Sequence, residues 1–247
     1  MNRILFEKGE IVGGTATFGG DRAAHVLNVL HGEVGQTLKT GEIDGPIGTS
    51  EIIAIERGGN GPIVSVKTCH DRESLKPWID IVLAPPRPRV MKRLLPQLAA
   101  MGVGRIVLVG AKKVEKDFWG ATLLKEENYR PLLIDGLMQS GTSVMPEILC
   151  RRNFRRFLDD ELDATFPDSS RIVAHPSPDA SRAPASSKRP LLAIGPEGGW
   201  TDEEVRTLIA KGFMCHSLGP RILRTDTATI ALIATLSVAT PLPARSA

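Results

Sequence analysis

The chain is poor in the residues that build covalent or metal frameworks. It has only three cysteines in 247 residues, Cys69, Cys150 and Cys215, far apart and never in a CxxC spacing. That argues against a disulfide scaffold and against zinc knuckles, and it fits a reduced, cytoplasmic compartment. The five histidines, at 25, 31, 70, 175 and 216, show no metal-ligand spacing, so no metal is expected. No GxxxxGK[ST], HExxH or GxSxG occurs. Gly102-Val-Gly104 lacks the third glycine of a dinucleotide fingerprint and precedes a strand instead of following one. Charge of either sign is also scarce in excess: 31 basic against 28 acidic residues leave a formal charge of +3. A strongly basic RNA-coating protein is thereby excluded, and any nucleic-acid contact must come from local clusters. Met1 to Glu10 carries four charges and no apolar run that would serve as a signal peptide. The uncharged stretch 227–244 contains four Thr, one Ser and two Pro. Its apolar centre is too short to span ~30 Å of hydrocarbon, so it reads as a buried helix.

What is present is an ordinary globular composition, 42% hydrophobic and 24% charged. The length suits one large domain or two unequal ones. The pattern changes near residue 75. Residues 1–72 are glycine-rich with short alternating runs. Glu51–Glu56 and Pro62–Lys67 read as strands joined by a turn at 58–61, and Asp21–His31 reads as a short helix. Residues 73–77 read as a linker. From 78 to 247, continuous apolar strands (79–84, 105–110, 171–174, 191–194, 213–218) alternate with helices (90–101, about 123–141, 201–211, 225–239). This predicts βαβ units around a mostly parallel sheet, hence an α/β fold with a smaller β-rich domain in front. Pro96 and Pro131 fall inside helical segments, where each is expected to kink or break the helix. The Pro- and Ser-rich run 176–190 reads as a surface loop.

Two segments point to chemistry. Ile194-Gly-Pro-Glu-Gly-Gly-Trp200 follows a strand and precedes Thr201-Asp-Glu-Glu204, a capping box. Glycines at the carboxyl end of a parallel strand let backbone approach a ligand closely. Ser217-Leu-Gly-Pro-Arg-Ile-Leu-Arg-Thr-Asp-Thr-Ala228 again follows a strand and opens an apolar helix. Arg221 and Arg224 there sit at a helix N-terminus, where the macrodipole disfavours cations by roughly 0.3–1 kcal/mol, so an anionic partner is indicated. From spacing alone, a plain tight turn and two hydrated arginines remain the alternatives.

GPEGG followed by TDEEV, then SLGPRILRTDTA, resembles the C-terminal signature of the RsmE family of SPOUT-class ribosomal RNA methyltransferases. His25-Val-Leu-Asn-Val-Leu30 resembles the helix of that family's N-terminal PUA-like domain. Gln139-Ser-Gly141 resembles the end of its middle helix, and Ala174-His-Pro176 its first cofactor loop.

The resemblance implies a PUA-like RNA-binding β-barrel over 1–72 and a trefoil-knotted SPOUT domain over 78–247. It implies a homodimer using S-adenosyl-L-methionine (SAM) to methylate N3 of a uridine in small-subunit (16S) rRNA. Carried over residue by residue, it places Ala174, His175, Pro176, Ile194, Gly195, Pro196, Glu197, Gly198, Gly199, Leu218, Gly219, Ile222, Leu223 and Thr227 at the cofactor. Arg224 is then the catalytic residue, a guanidinium for the negative charge that forms when the uracil N3 loses its proton. Arg22, His25, Asn28, Arg87, Arg89, Lys92 and Gln139 are the RNA-contacting candidates. The chain departs from the family pattern at Ala100 and Met138, where acids are usual, and at His31, where Arg is usual. The competing function class is a non-catalytic RNA-binding or ribosome-assembly paralogue that keeps the fold.

Overall fold

The computed structural model describes residues 3–59, 61–176, 186–240 and 242. It divides into two compact units. The first takes residues 3–75 together with Leu137–Met145, and the second takes Lys76–Gly136 together with residues 146–240. Residues 137–145, read from sequence as part of the second domain, thus cluster with the first.

The first unit is a six-stranded mixed sheet. Its strands are β1 (Ile4–Phe6), β2 (Ile11–Val12), β3 (Thr15–Phe18), β4 (Thr37–Glu42), β5 (Ile47–Gly58) and β6 (Gly61–Arg72), in the order β1-β4-β5-β6-β3-β2. Only β1 and β4 run parallel. The β5–β6 hairpin closes on Gly58 opposite Gly61, and its register shifts at 47/49 and 52/54. Such bulges bend the strands and strengthen their twist. Phe6, Phe18, Ile52, Val64 and Val66 fill the inside against Ala23 and Val26 of α1 (Gly20–Asn28).

The second unit holds six parallel strands: β7 (Ile79–Leu83), β8 (Val103–Val109), β9 (Glu147–Arg151), β10 (Ser170–Ala174), β11 (Pro190–Ile194) and β12 (Met214–His216). Their order is β12-β10-β11-β7-β8-β9. β7 and β11 are buried at every position, as expected of strands covered on both faces. Val82, Val107, Val173, Leu191 and Ala193 point to one face. They meet a helical run there, α4 (Phe154–Arg156) passing through a π-helical turn (Phe157–Glu161) into α5 (Leu162–Thr165), and also α6 (Asp202–Ala210). Fully burying each such Val or Leu is worth about 1.5–3 kcal/mol. Helices α2 (Pro88–Ala100) and α7 (Thr225–Ala239) pack together and against β8 and β11.

Both prolines sit inside helices that continue through them, Pro96 in α2 and Pro131 in α3 (Glu126–Ser140), so of the expected kink or break neither helix shows the break. The carbonyls they deprive of a donor, on Lys92 and Glu127, belong to exposed residues, so water can satisfy them. Pro96 is also a packing point. A Cβ at Gly136 of α3 would stand 2.0 Å from the Pro96 oxygen and 2.9 Å from Ala99 Cβ, so only glycine permits the approach. Most of the Pro- and Ser-rich run 176–190 lies outside the described residues.

Candidate functional site

Three loops leave the carboxyl ends of β10, β11 and β12 and enclose a cavity of about 400 Å³. Ala174, His175 and Pro176 line it from the first loop, and the His175 N–H donates to the His216 carbonyl across β12. The second loop contributes Ile194, Gly195, Pro196, Glu197, Gly198 and Gly199. The third contributes Leu218, Gly219, Ile222 and Leu223. Thirteen of the fourteen cofactor candidates therefore come together, from three segments separated by 18 and 19 positions in sequence.

The second loop is a built turn. Gly199 N–H donates to the Pro196 carbonyl at 2.8 Å, with Gly199 at φ 65°. A Cβ at Gly195 would lie 2.9 Å from Trp200 N and 3.2 Å from Gly199 Cα, so the loop folds over on a glycine backbone. Glu197 Oε1 accepts the Arg87 N–H at the start of α2 (2.8 Å), and Lys113 Nζ donates to the Gly198 carbonyl (2.7 Å). Thr201 and Glu204 form the expected capping box, and buried Glu204 also accepts the Lys112 N–H at 2.7 Å. Loop geometry is thus fixed from the β7 and β8 sides before any ligand arrives.

The third loop is the reverse. Ile222 is 91% exposed, and Leu218 and Leu223 are exposed beside it. Apolar side chains in contact with water around a cavity mark a surface that a ligand or partner covers. Arg221 lines the cavity. Arg224 stands between Leu223 and Thr225 as the residue preceding α7. Its backbone carbonyl accepts the Ala228 N–H, and its exposed side chain makes no ion pair among the described residues. Asp226, two residues further on, is engaged with Arg93 at 2.9 Å.

Thr227 is exposed and off the cavity. Helical periodicity turns Thr225, Ala228 and Leu232 toward it instead. Sequence reasoning also passed over Trp200, His216 and Ser217. The three-and-four spacing at the start of α7 was a usable signal. The strand-end His216, whose role depends on pairing with β10, was not.

The RNA candidates fall in two groups. Arg22, His25 and Asn28 lie on α1 and Gln139 near the end of α3, in the first unit. Arg87, Arg89 and Lys92 are exposed at the start of α2 in the second. Arg22 is already committed. It holds Glu10 through two nitrogens at 2.8 and 2.6 Å, donates to the Leu5 carbonyl, and lies over Phe6 and Phe18. The Arg22 hydrogen bond holds the Glu10 carboxyl below its usual range. The Arg87 side chain pairs with Glu115.

A parallel sheet with glycine loops at its carboxyl edge defines an α/β ligand-binding domain, and residues 73–237 match a family model described as RNA methyltransferase domain. The ribosomal RNA small subunit methyltransferase E of Treponema pallidum is 31% identical over 95% of this chain and 90% of its own length. The Bacillus subtilis protein of that name is 24% identical over 92% and 91%. The chain belongs to the ribosomal RNA small subunit methyltransferase E family. A Legionella pneumophila protein, solved in complex with SAM, superposes with a TM-score of 0.74 at 26% identity, covering 96% of this chain and 97% of that one. The Neisseria gonorrhoeae family member gives 0.71 at 22% identity, with the same coverages. The expected fold class, a SPOUT α/β domain beside a small β domain, therefore holds.

Proposed function

We propose that this chain is a SAM-dependent methyltransferase acting on N3 of a uridine in small-subunit rRNA. The observation that carries the reading is the cavity at the ends of β10, β11 and β12, lined by Leu223 and Thr225 on either side of Arg224, whose exposed side chain makes no ion pair among the described residues. The residues present fit SAM. The volume lies in the usual range for small-molecule sites of roughly 300–1,000 Å³. Ile194, Leu218, Leu223 and Leu232 give apolar walls, and the backbone of 194–199 and 217–219 gives the donors and acceptors an adenosine needs. SAM carries no phosphate, which agrees with the missing pyrophosphate fingerprint.

When bound, SAM supplies a methyl group made electrophilic by its sulfonium sulfur. The chain's share is placement and charge. The clamped second loop fixes one wall, so the acceptor is oriented against a site that does not reorganise. Arg224 directs its guanidinium at the uracil carbonyl oxygens, which become negative as N3 loses its proton. Glu197 and Asp226 are occupied by Arg87 N–H and Arg93, so neither is offered as the base, and the proton leaves to solvent.

α7 supports a homodimer. Leu232, Ile233 and Leu236 are buried internally, whereas half-buried Ile230 and exposed Ala234 and Val238, four apart, form a stripe of small and apolar residues. A monomer by sedimentation at micromolar concentration would defeat that part. No helix among the described residues is long and apolar enough to cross a membrane, and we assign the protein to the cytoplasm with its rRNA. No cluster of metal-ligating side chains occurs among them either, and the mechanism uses none. The test is mass spectrometry of small-subunit rRNA nucleosides from cells lacking the protein. Loss of 3-methyluridine, restored by the wild-type chain, is expected. An unchanged nucleoside profile would favour the non-catalytic paralogue.

A further inference from the structure

Arg3 carries a buried charge in the first unit. It is only 6% exposed, yet no carboxylate pairs with it among the described residues. Its Nε donates to the Gly141 carbonyl at 3.1 Å. Its Nη1 donates to the carbonyls of Thr40 and Gly48. Nη2 makes no hydrogen bond among the described residues. Burying a cation on neutral carbonyls alone is costly, because its charge is left without a counter-ion. A second guanidinium aggravates this. Arg72 lines the same cleft of about 90 Å³ as Arg3, with Ser140 and Gly141 on the other wall. Burial, and secondly Arg72, push the Arg3 pKa down from its ordinary value. The acids nearby do not resolve the excess. Glu73 sits exposed on the cleft and pairs with neither arginine among the described residues. Asp71 reaches Arg72 Nε only at 3.8 Å, in water.

We propose that this cleft is a phosphate-binding subsite, in which Arg3 from below and Arg72 from the rim hold one backbone phosphate of the RNA. Guanidinium groups suit that role because their planar N–H forks match phosphate oxygens, and two of them neutralise a charge that neither carbonyls nor water can. Gln139, an RNA candidate, directly precedes the Ser140–Gly141 wall, so the subsite and that candidate share one turn. The RNA source of the phosphate rests on the proposed function. The chemistry of the cleft does not.

Arg3 is too deeply embedded to replace without risk to folding, so the test uses the exposed Arg72 and Glu73 in the full-length chain. Binding of a small-subunit rRNA fragment is measured against salt, and inorganic phosphate is titrated separately by NMR. Arg72→Gln should weaken RNA binding about 3- to 10-fold and lower the salt slope by about one, as loss of one phosphate contact does. Its SAM affinity and its rate at saturating RNA should be unchanged. Glu73→Gln should shift RNA affinity the opposite way. Inorganic phosphate should perturb wild type and not Arg72→Gln. An unchanged RNA affinity and slope in Arg72→Gln, with no phosphate response, overturns the proposal. A phosphate response with an unchanged RNA slope overturns the RNA source and leaves a free-phosphate site. If wild type binds no rRNA at all, the proposed function falls, and the phosphate titration still decides the cleft.

Discussion

The carboxyl edge of the parallel sheet carries two clefts of about 400 Å³ each, and they differ in what their own side chains leave undone. Beside β8 and β9, the Lys112 ammonium faces water, but the rest of the lining is tied together by its own polar groups. Arg155 pairs with Glu203, Asn153 caps Arg156 N–H, Lys112 N–H is held by Glu204, and Arg152 donates to Trp119 O while lying over its ring. Beside β10, β11 and β12, Ile222, Leu218 and Leu223 face water and Arg224 has no counter-charge among the described residues. Equal volume therefore does not make equal sites. A ligand binds where desolvation and charge remain to be completed, and the satisfied cleft serves as the brace that shapes the open one. The first unit repeats the contrast on a smaller scale, with Arg22 closed on Glu10 and Arg3 left open.

The largest loss is expected at Arg224. Arg224→Ala should slow single-turnover methylation by about 10²–10³ while SAM affinity stays near wild type, and Lys should rescue only partly. A normal rate at saturating RNA, with weaker RNA binding, would make it a phosphate contact instead. Next come two of the three glycines of the second loop, Gly195 and Gly198. Gly195→Ala forces a Cβ against Trp200 N and should weaken SAM binding at least 10-fold, about 1.4 kcal/mol by calorimetry. At Gly198 a Cβ meets only the flexible Lys113 stem, so Gly198→Ala should change affinity by less than about 3-fold. Equal losses at both positions would show that the loop is not braced as described.

On the closed side, Glu204→Gln leaves Thr201 N–H and Oγ1 facing an amide and should lower stability by about 1–3 kcal/mol in urea unfolding. The smallest effect belongs to Glu10. Its pKa is lowered in the folded state, so the Arg22 pair stabilises above the ordinary carboxylate range and is lost as pH falls through the lowered value. Glu10→Gln should remove that acid-side slope, at a cost of about 1 kcal/mol or less at neutral pH.

The strands buried on both faces and the capped helices were legible because each is a continuous local pattern. β1, β4 and β9 were not. β1 is three residues long, Thr37–Glu42 is largely polar, and Glu147–Arg151 is a half-exposed edge strand. The helical run 154–165 has a π-turn that breaks its periodicity. The two glycine loops were readable as motifs, but their meeting depends on strand order. Met138, where the family pattern has an acid, packs against the apolar core of the first unit, which explains why a neutral residue suits it here. His31 holds a left-handed backbone (φ 50°) just beyond α1, and nothing in its surroundings accounts for the change from arginine.

Hydrogen exchange with and without SAM reads both clefts of one sheet edge in one experiment. If SAM fills the open cleft, amide protection is added in 174–176, 194–200 and 217–225, with none at Arg152–Arg155. Protection centred on Arg152–Arg155, or none anywhere at saturating SAM, would contradict it.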